Sequence, residues 1–223
     1  MKQGFIGFLL LTAIAARGDF VIQEKIESAD QNGIEVVKVK GDKKRTDMPT
    51  IPLGPVSVIE DLKTGDRIMM IHQRRAAKME SFAEFKQAFA INAGIEPPKV
   101  IKTGKVEKIG NYNAQIFTWT NREGAGGTFW VATNYPGAAK FQGLFTRLHQ
   151  SPVGQLIRNM EPDTAALPGM VIKSRVKTSL GEVTTTVVSA NEQPVAASEF
   201  QIPPNYQVFG LKVTTSPPKP PKK

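Results

Sequence analysis

Apolar and polar residues alternate with period two through most of the chain, most clearly from Pro168 to Tyr206. There Met170, Ile172, Ser174 and Val176 share one parity, while Lys173, Arg175 and Lys177 take the other. After a Gly-bearing turn, Val183, Thr185 and Val187 alternate with Glu182, Thr184 and Thr186. Alternation across a short turn predicts an antiparallel hairpin with one wet face. Phe200 and Ile202 are expected to seal the last strand, which makes this stretch the closing edge of a curved sheet. Strand patterns also cover 20–27, 34–39, 56–59, 67–72, 74–80, 104–109, 112–120 and 128–132. From Gly41 to Arg45 the core contribution is thin, and Thr50-Ile-Pro-Leu-Gly-Pro55 reads as a loop, since two prolines this close do not both serve a central strand.

The period changes at Ser81. Ser81-Phe-Ala-Glu84 fits a capping box, and Phe82, Phe85 and Phe89 form an aromatic stripe on a helix predicted over 82–92. A second helix is predicted over 138–150, with Phe141, Leu144, Phe145 and Leu148 on one face. Val153, Leu156, Ile157 and Met160 extend a helical pattern after Pro152. The sum is nine or ten antiparallel strands interrupted by helices that lie against one face of the sheet. Nothing repeats at a fixed period, which excludes solenoids and propellers.

Length and composition narrow the class. With 223 residues and 40% hydrophobic content, the chain suffices for one packed core, two small domains being the alternative. Behind Met1-Lys2-Gln3, an apolar run from Gly4 to Ala16 has the length of a secretory h-region and falls short of the roughly 20 residues that cross a bilayer. Residues 1–18 are expected to be a signal peptide, cleaved after Ala15 or Gly18, leaving no transmembrane segment and a soluble periplasmic or extracellular protein. Residues 19–210 would form the single domain. Residues 211–223, ending in Ser216-Pro-Pro-Lys-Pro-Pro-Lys-Lys223, would be a disordered Pro/Lys tail. No cysteine occurs, so disulfides, thiolate metal sites and thiol nucleophiles are excluded.

The net charge of +9 suggests nucleic acid until its distribution is considered. Lys2 and Arg17 belong to the leader and Lys219, Lys222 and Lys223 to the tail. The remaining cations are interleaved with Glu and Asp and form no long basic stripe, so no nucleic-acid partner is expected. The tail suits an anionic envelope polymer instead.

Several segments carry a family resemblance when taken in order: Lys40-Gly-Asp-Lys-Lys-Arg45, Asp61-Leu-Lys-Thr-Gly65, Gly104-Lys-Val-Glu-Lys-Ile-Gly-Asn-Tyr112, Thr128-Phe-Trp-Val131, Pro168-Gly-Met170 and Phe200-Gln-Ile-Pro203 with Tyr206. Over about Phe20 to Tyr206 the chain resembles the bacterial "domain of unknown function 4412" family, grouped with LolA/LolB-like lipoprotein carriers. The resemblance implies a mainly β (α+β) fold, a curved antiparallel open half-barrel with two or three helices over its concave face. It also implies acyl chains as the ligand class, hence a lipid or lipidated protein as partner. Such carriers are said to switch through a buried arginine, a role that no motif assigns here. The Pro/Lys tail departs from the pattern.

Candidate chemistry is sparse. His72 and His149 are far apart and lack a metal-binding companion; His72 shares parity with Ile68 and Met70 and reads as a half-buried structural histidine. There is no Gly-x-Ser-x-Gly elbow, and Gly124-Ala-Gly-Gly127 lacks the Lys-Ser/Thr of a phosphate loop. No enzyme and no cofactor are expected. The richer signal is the aromatic and methionine set, from which Met70, Phe82, Phe85, Phe89, Phe117, Trp119, Trp130, Phe141 and Phe145 are candidates to line a ligand cavity between sheet and helices.

Overall fold

Polar side chains do not prevent a segment from joining a sheet when they find cross-strand partners, and this decides the strand count. The computed structural model describes residues 18–29, 31–51, 54–89, 98–121, 124–158, 162–178 and 181–210. The first six strands are β1 (Phe20–Glu27), β2 (Asn32–Lys40), β3 (Lys43–Ile51), β4 (Gly54–Asp61), β5 (Arg67–Ile71) and β6 (Ala76–Glu80). Helix α1 (Phe82–Phe89) precedes β7 (Ile101–Ile109), β8 (Tyr112–Thr120) and β9 (Gly126–Ala132). Then come α2 (Ala138–Gln150), α3 (Pro152–Ile157), β10 (Met170–Thr178), β11 (Gly181–Glu192) and β12 (Gln207–Gly210). The expected leader, the continuation of α1 to Asn92, Met160 and the tail lie outside the described residues.

All twelve strands form one open, curved sheet in the order β12-β6-β5-β4-β3-β2-β1-β11-β10-β9-β8-β7. Neighbours are antiparallel except β12, which runs parallel to β6. The polar segment after Gly41 is a full strand because its charges are paired: Lys43 with Asp61 at 2.6 Å, Lys44 with Glu60 at 2.8 Å, and Arg45 with Asp47 at 2.6 Å.

The hairpin expected at the closing edge is interior. Its second strand, β11, pairs along the whole of β1, so the first and late strands of the chain meet mid-sheet and the edges fall to β7 and β12. Phe200 and Ile202 do not belong to a strand either. Ala197–Phe200 is a 3-10 turn, and Phe200, Ile202 and Tyr206 pack over Ile59, Met70 and Ala77.

Each helix is held by local chemistry. At α1 the capping box forms as expected, Ser81 N–H donating to Glu84 Oε2 (2.8 Å) and Glu84 N–H to Ser81 Oγ (3.2 Å). Gly65, at φ +78, ends the turn on which Phe82 and Pro152 rest; a Cβ there would come within 2.9 Å of both. The chain turns sharply from α2 into α3 at Ser151, whose Oγ accepts from Gly154 N–H (3.0 Å) and donates to the buried Glu60 (3.2 Å). No helix among the described residues is long and apolar enough to cross a membrane.

Candidate functional site

On the concave face, α2 lies over the middle of the sheet. Phe20 and Ile22 of β1, Val39 of β2, Trp130 and Ala132 of β9, and Met170 and Ile172 of β10 meet Phe141 and Leu144 of α2 in one buried cluster. Tyr135, Phe145 and Leu148 pack against it from the helix side and Tyr112 from the sheet. The rings interlock, with Phe20 and Phe141 centroids 5.6 Å apart, and Tyr135 5.1 Å from Tyr112 and 6.1 Å from Phe141. Trp130 donates its indole N–H to Glu107 (2.7 Å) and carries Lys173 Nζ 4.8 Å over its ring. These contacts fill the space directly beneath α2 with the protein's own side chains.

A cleft of about 470 Å³ opens at the flank of α2, beside Phe20 and Leu144 at the margin of that buried cluster. Lys140, Arg147 and Glu192 stand around it, and Lys140 is paired with Glu192. A second cleft of about 320 Å³ shares Thr146 and Gln150 with the first and reaches His149, Arg158 and Asp163.

Further along β1, Glu24 faces Glu35 of β2 across the register, at the parity that carries Phe20, Ile22, Val37 and Val39. Burial, then the charge of Glu35, pushes the Glu24 carboxyl up to about 7. Burial also raises Glu35, against the opposing pull of Lys44. Two carboxyls in one apolar wall disfavour each other's ionisation.

The expected cavity residues divide among several places. Trp130, Phe141 and Phe145 come together under α2. Phe117 and Trp119 join Phe129, Val131 and Leu167 in a second cluster. Alternation along β8 sets these two opposite Ala114 and Ile116, which belong to the cluster under α2. Met70 is fully buried in a third cluster, under the C-terminal segment. On α1, Phe85 is buried beneath the Arg67 guanidinium, 4.0 Å from its ring centroid, and Phe82 packs at Gly65. Phe89 ends α1, and its side chain lies outside the described residues.

The reverse face is crossed by the segment after β11, and a polar clasp holds it there. Val195 N–H donates to Asp19 (3.0 Å), Lys38 pairs with Glu199 (2.9 Å), and Arg45 Nη1 donates to the Glu199 carbonyl (2.7 Å). Ser57 Oγ donates to Asp47 Oδ1 (2.5 Å) and accepts from Arg45 Nη2 (3.2 Å). With that proton committed, His72 donates through Nε2 to Ser57 (2.6 Å) and accepts at Nδ1 from the Tyr206 hydroxyl (2.7 Å). Burial would raise the Asp47 carboxyl, but the hydrogen bonds from Ser57 and Arg45 outweigh it and hold it below the ordinary value. Ser57, His72 and Asp47 are thus close together, yet the Ser57 proton points at Asp47 and the group is a clasp. His72 had been legible as half-buried and structural; its partners had no sequence signal, because Tyr206 lies 134 positions away. Phe20 and the Glu24–Glu35 pair likewise had no site signal in the sequence, although Leu144 stood out in the α2 stripe. Among the described residues no group of three or more His, Asp or Glu side chains could hold a metal ion.

Residues 19–206 match the family model described as "Domain of unknown function (DUF4412)". Among solved structures, an uncharacterized conserved protein from Thermus thermophilus superposes with a TM-score of 0.53 at 6% identity, covering 87% of this chain and 91% of that one. Similarity also extends to lipoprotein LppX of Mycobacterium tuberculosis (TM-score 0.43, 9% identity, 79% of this chain and 88% of that one). A LolA superfamily protein of Nitrosomonas europaea follows at TM-score 0.33 and 8% identity, covering 83% of this chain and 90% of that one. No curated protein sequence matches. At such identities the likeness is one of fold.

Proposed function

Since the chain belongs to the family of domain of unknown function 4412, we propose that it is a non-enzymatic binder or carrier of a hydrophobic ligand, a lipid or the acyl chain of a lipidated protein. One observation carries this: a cleft that reaches the core at Phe20 and Leu144 opens at the edge of the only described helix longer than eight residues. The grouping of the family with LolA/LolB-like carriers supports the ligand class. The apolar run 4–16 behind Lys2 supports export to the periplasm or beyond, where such ligands travel between membranes. Ser57 supports the non-enzymatic reading, being 1% exposed with its hydroxyl proton engaged by Asp47.

A titration of the purified full chain with an environment-sensitive fluorescent fatty acid tests the proposal. Saturable binding with a blue shift is expected, with a Kd on the order of 1 μM, about −8 kcal/mol. A second reading, an envelope interaction module with a self-filled core, is favoured by the packed space beneath α2. Probe fluorescence that stays at its free value at every protein concentration selects that module over the carrier.

A further inference from the structure

We propose that the β7 edge of the sheet docks on a bilayer surface rich in anionic phospholipid, with Lys102, Lys105 and Lys108 at the headgroups and Ile101 and Val106 at the interface. The inference goes beyond the ligand-binding reading and holds whether or not a guest is bound.

Charge is the first observation. Cations that are interleaved with carboxylates along the sequence are sorted by the strand order. On β1 to β6 eight Lys and Arg stand against seven Glu and Asp. On β7 to β10 the charged residues are Lys102, Lys105, Lys108, Lys173, Arg175 and Lys177 against Glu107 alone, and β8 and β9 carry none. Glu182 of β11 answers Arg175 at 3.4 Å, which leaves an excess of four positive charges. The adjoining loops add Lys99 and Arg122 against Glu96 and Glu123, so the excess stands. Lys173 is held over the Trp130 ring. Lys102, Lys105 and Lys108 are exposed and make no ion pair among the described residues.

Apolar exposure is the second. Ile101 and Val106, 64% and 61% exposed, are the most exposed large hydrophobic residues among those described. Ile101 sits opposite Thr118 and Val106 opposite Gln115, which have opposite parity on β8, so one aliphatic flanks each face of the edge. Lysines interleaved with such side chains suit the boundary between anionic headgroups and acyl chains. A nucleic-acid backbone or an anionic polysaccharide offers nothing to the aliphatic pair.

The backbone is the third. β7 is one of the two edges of the sheet. Its ladder with β8 breaks between Lys102 and Val106, around Gly104 at φ +77. Thr103 ties the break, its hydroxyl donating to the Ile116 carbonyl (2.8 Å) and accepting from Lys105 N–H (3.2 Å). That N–H is unavailable to an added strand, so an acidic peptide fits this edge poorly, whereas a lipid surface needs no register. Lysines and bulges also protect edges from foreign strands. Protection accounts for those two features and leaves the exposed aliphatics unexplained; docking on lipid uses all of them.

The test floats the full chain with mixed vesicles of phosphatidylglycerol and phosphatidylcholine, and with phosphatidylcholine alone. Partition onto the mixed vesicles is expected to be about tenfold or more higher, and to fall as salt is raised. Lys102→Glu, Lys105→Glu and Lys108→Glu together should remove about tenfold or more of it. The same three positions changed to Gln should lower it less and cover the case in which the first variant misfolds. Since the chain has no cysteine, Val106→Cys carries a single environment-sensitive dye. Its emission should shift to the blue on mixed vesicles, while a dye on Ile34→Cys, exposed on β2, should not respond. Equal partition of wild type and folded lysine variants would overturn the assignment and point to the Pro/Lys tail. Equal partition on both vesicle types, or a silent dye at position 106, would overturn it as well. An equal dye response to polyglutamate would replace the lipid surface by an acidic polypeptide. Fatty-acid binding should be unchanged in the lysine variants, so failure here leaves the binder reading standing.

Discussion

Glu24→Gln is expected to stabilise the protein at pH 8 by about 2–3 kcal/mol and to leave stability near pH 4.5 almost unchanged. The folded protein holds the Glu24 proton up to a pH of about 7, whereas the ordinary value for a glutamate is 4.5. Between those two values the folded state binds a proton that the unfolded chain has released, so stability falls as pH rises through the window. Below 4.5 both states are protonated and the group contributes nothing. Above 7 both are ionised and the full cost of a buried charge beside Glu35 is present, about 3 kcal/mol at most. Gln keeps the shape and removes the charge. Urea unfolding at pH 5 and pH 8 reads the effect directly. A variant that gains equally at both pH values would show that ionisation of Glu24 costs nothing in the native wall.

Arg45→Met should cost about 3–5 kcal/mol, the usual result of removing one member of a buried ion pair. The guanidinium is only 16% exposed and serves four groups: Asp47 at 2.6 Å, the Glu199 carbonyl at 2.7 Å, Ser57 at 3.2 Å and the Glu199 carboxylate at 3.4 Å. Its loss leaves the Asp47 carboxylate partly buried with a weakened set of partners and releases the C-terminal crossing from β3. Arg45→Lys should recover only part of the loss, since an ammonium cannot reproduce the fork that engages carboxylate and carbonyl together. Two readouts separate the effects: the urea midpoint for global stability, and limited proteolysis between 193 and 206 for local opening. A cost under about 1 kcal/mol with an uncut crossing would show that Phe200, Ile202 and Tyr206 hold the segment by packing alone.

The elements that could be read from the sequence were those decided within a few residues. Helix α2 occupies the predicted 138–150, since its stripe of Phe141, Leu144, Phe145 and Leu148 is unbroken. The Ser81–Glu84 capping box places the start of α1, and the Pro168–Tyr206 alternation yields β10 and β11 in the expected pairing. What could not be read depends on partners far along the chain. β3 looked polar because Lys44 and Arg45 are satisfied by Glu60 and Asp47 on a folded sheet, and burial of that kind leaves no hydrophobic pattern. The interior position of β11 follows from its pairing with β1, at the opposite end of the chain, a choice that loop-closure entropy leaves to the global fold.

The candidate site was legible to the same degree. Aromatic content pointed to an apolar wall, and Trp130, Phe141 and Phe145 do meet beneath α2. Period two does not say which face is concave, so Phe117, Trp119 and Met70 could not be told apart from them.

A fold that holds a hydrophobic guest should carry one when it leaves the cell. Native mass spectrometry of the full chain isolated without detergent from its own cells tests it most directly. A population carrying a discrete added mass of an acyl lipid, released on mild collisional activation, is expected. A single apo species, unchanged after incubation with palmitate, would contradict it.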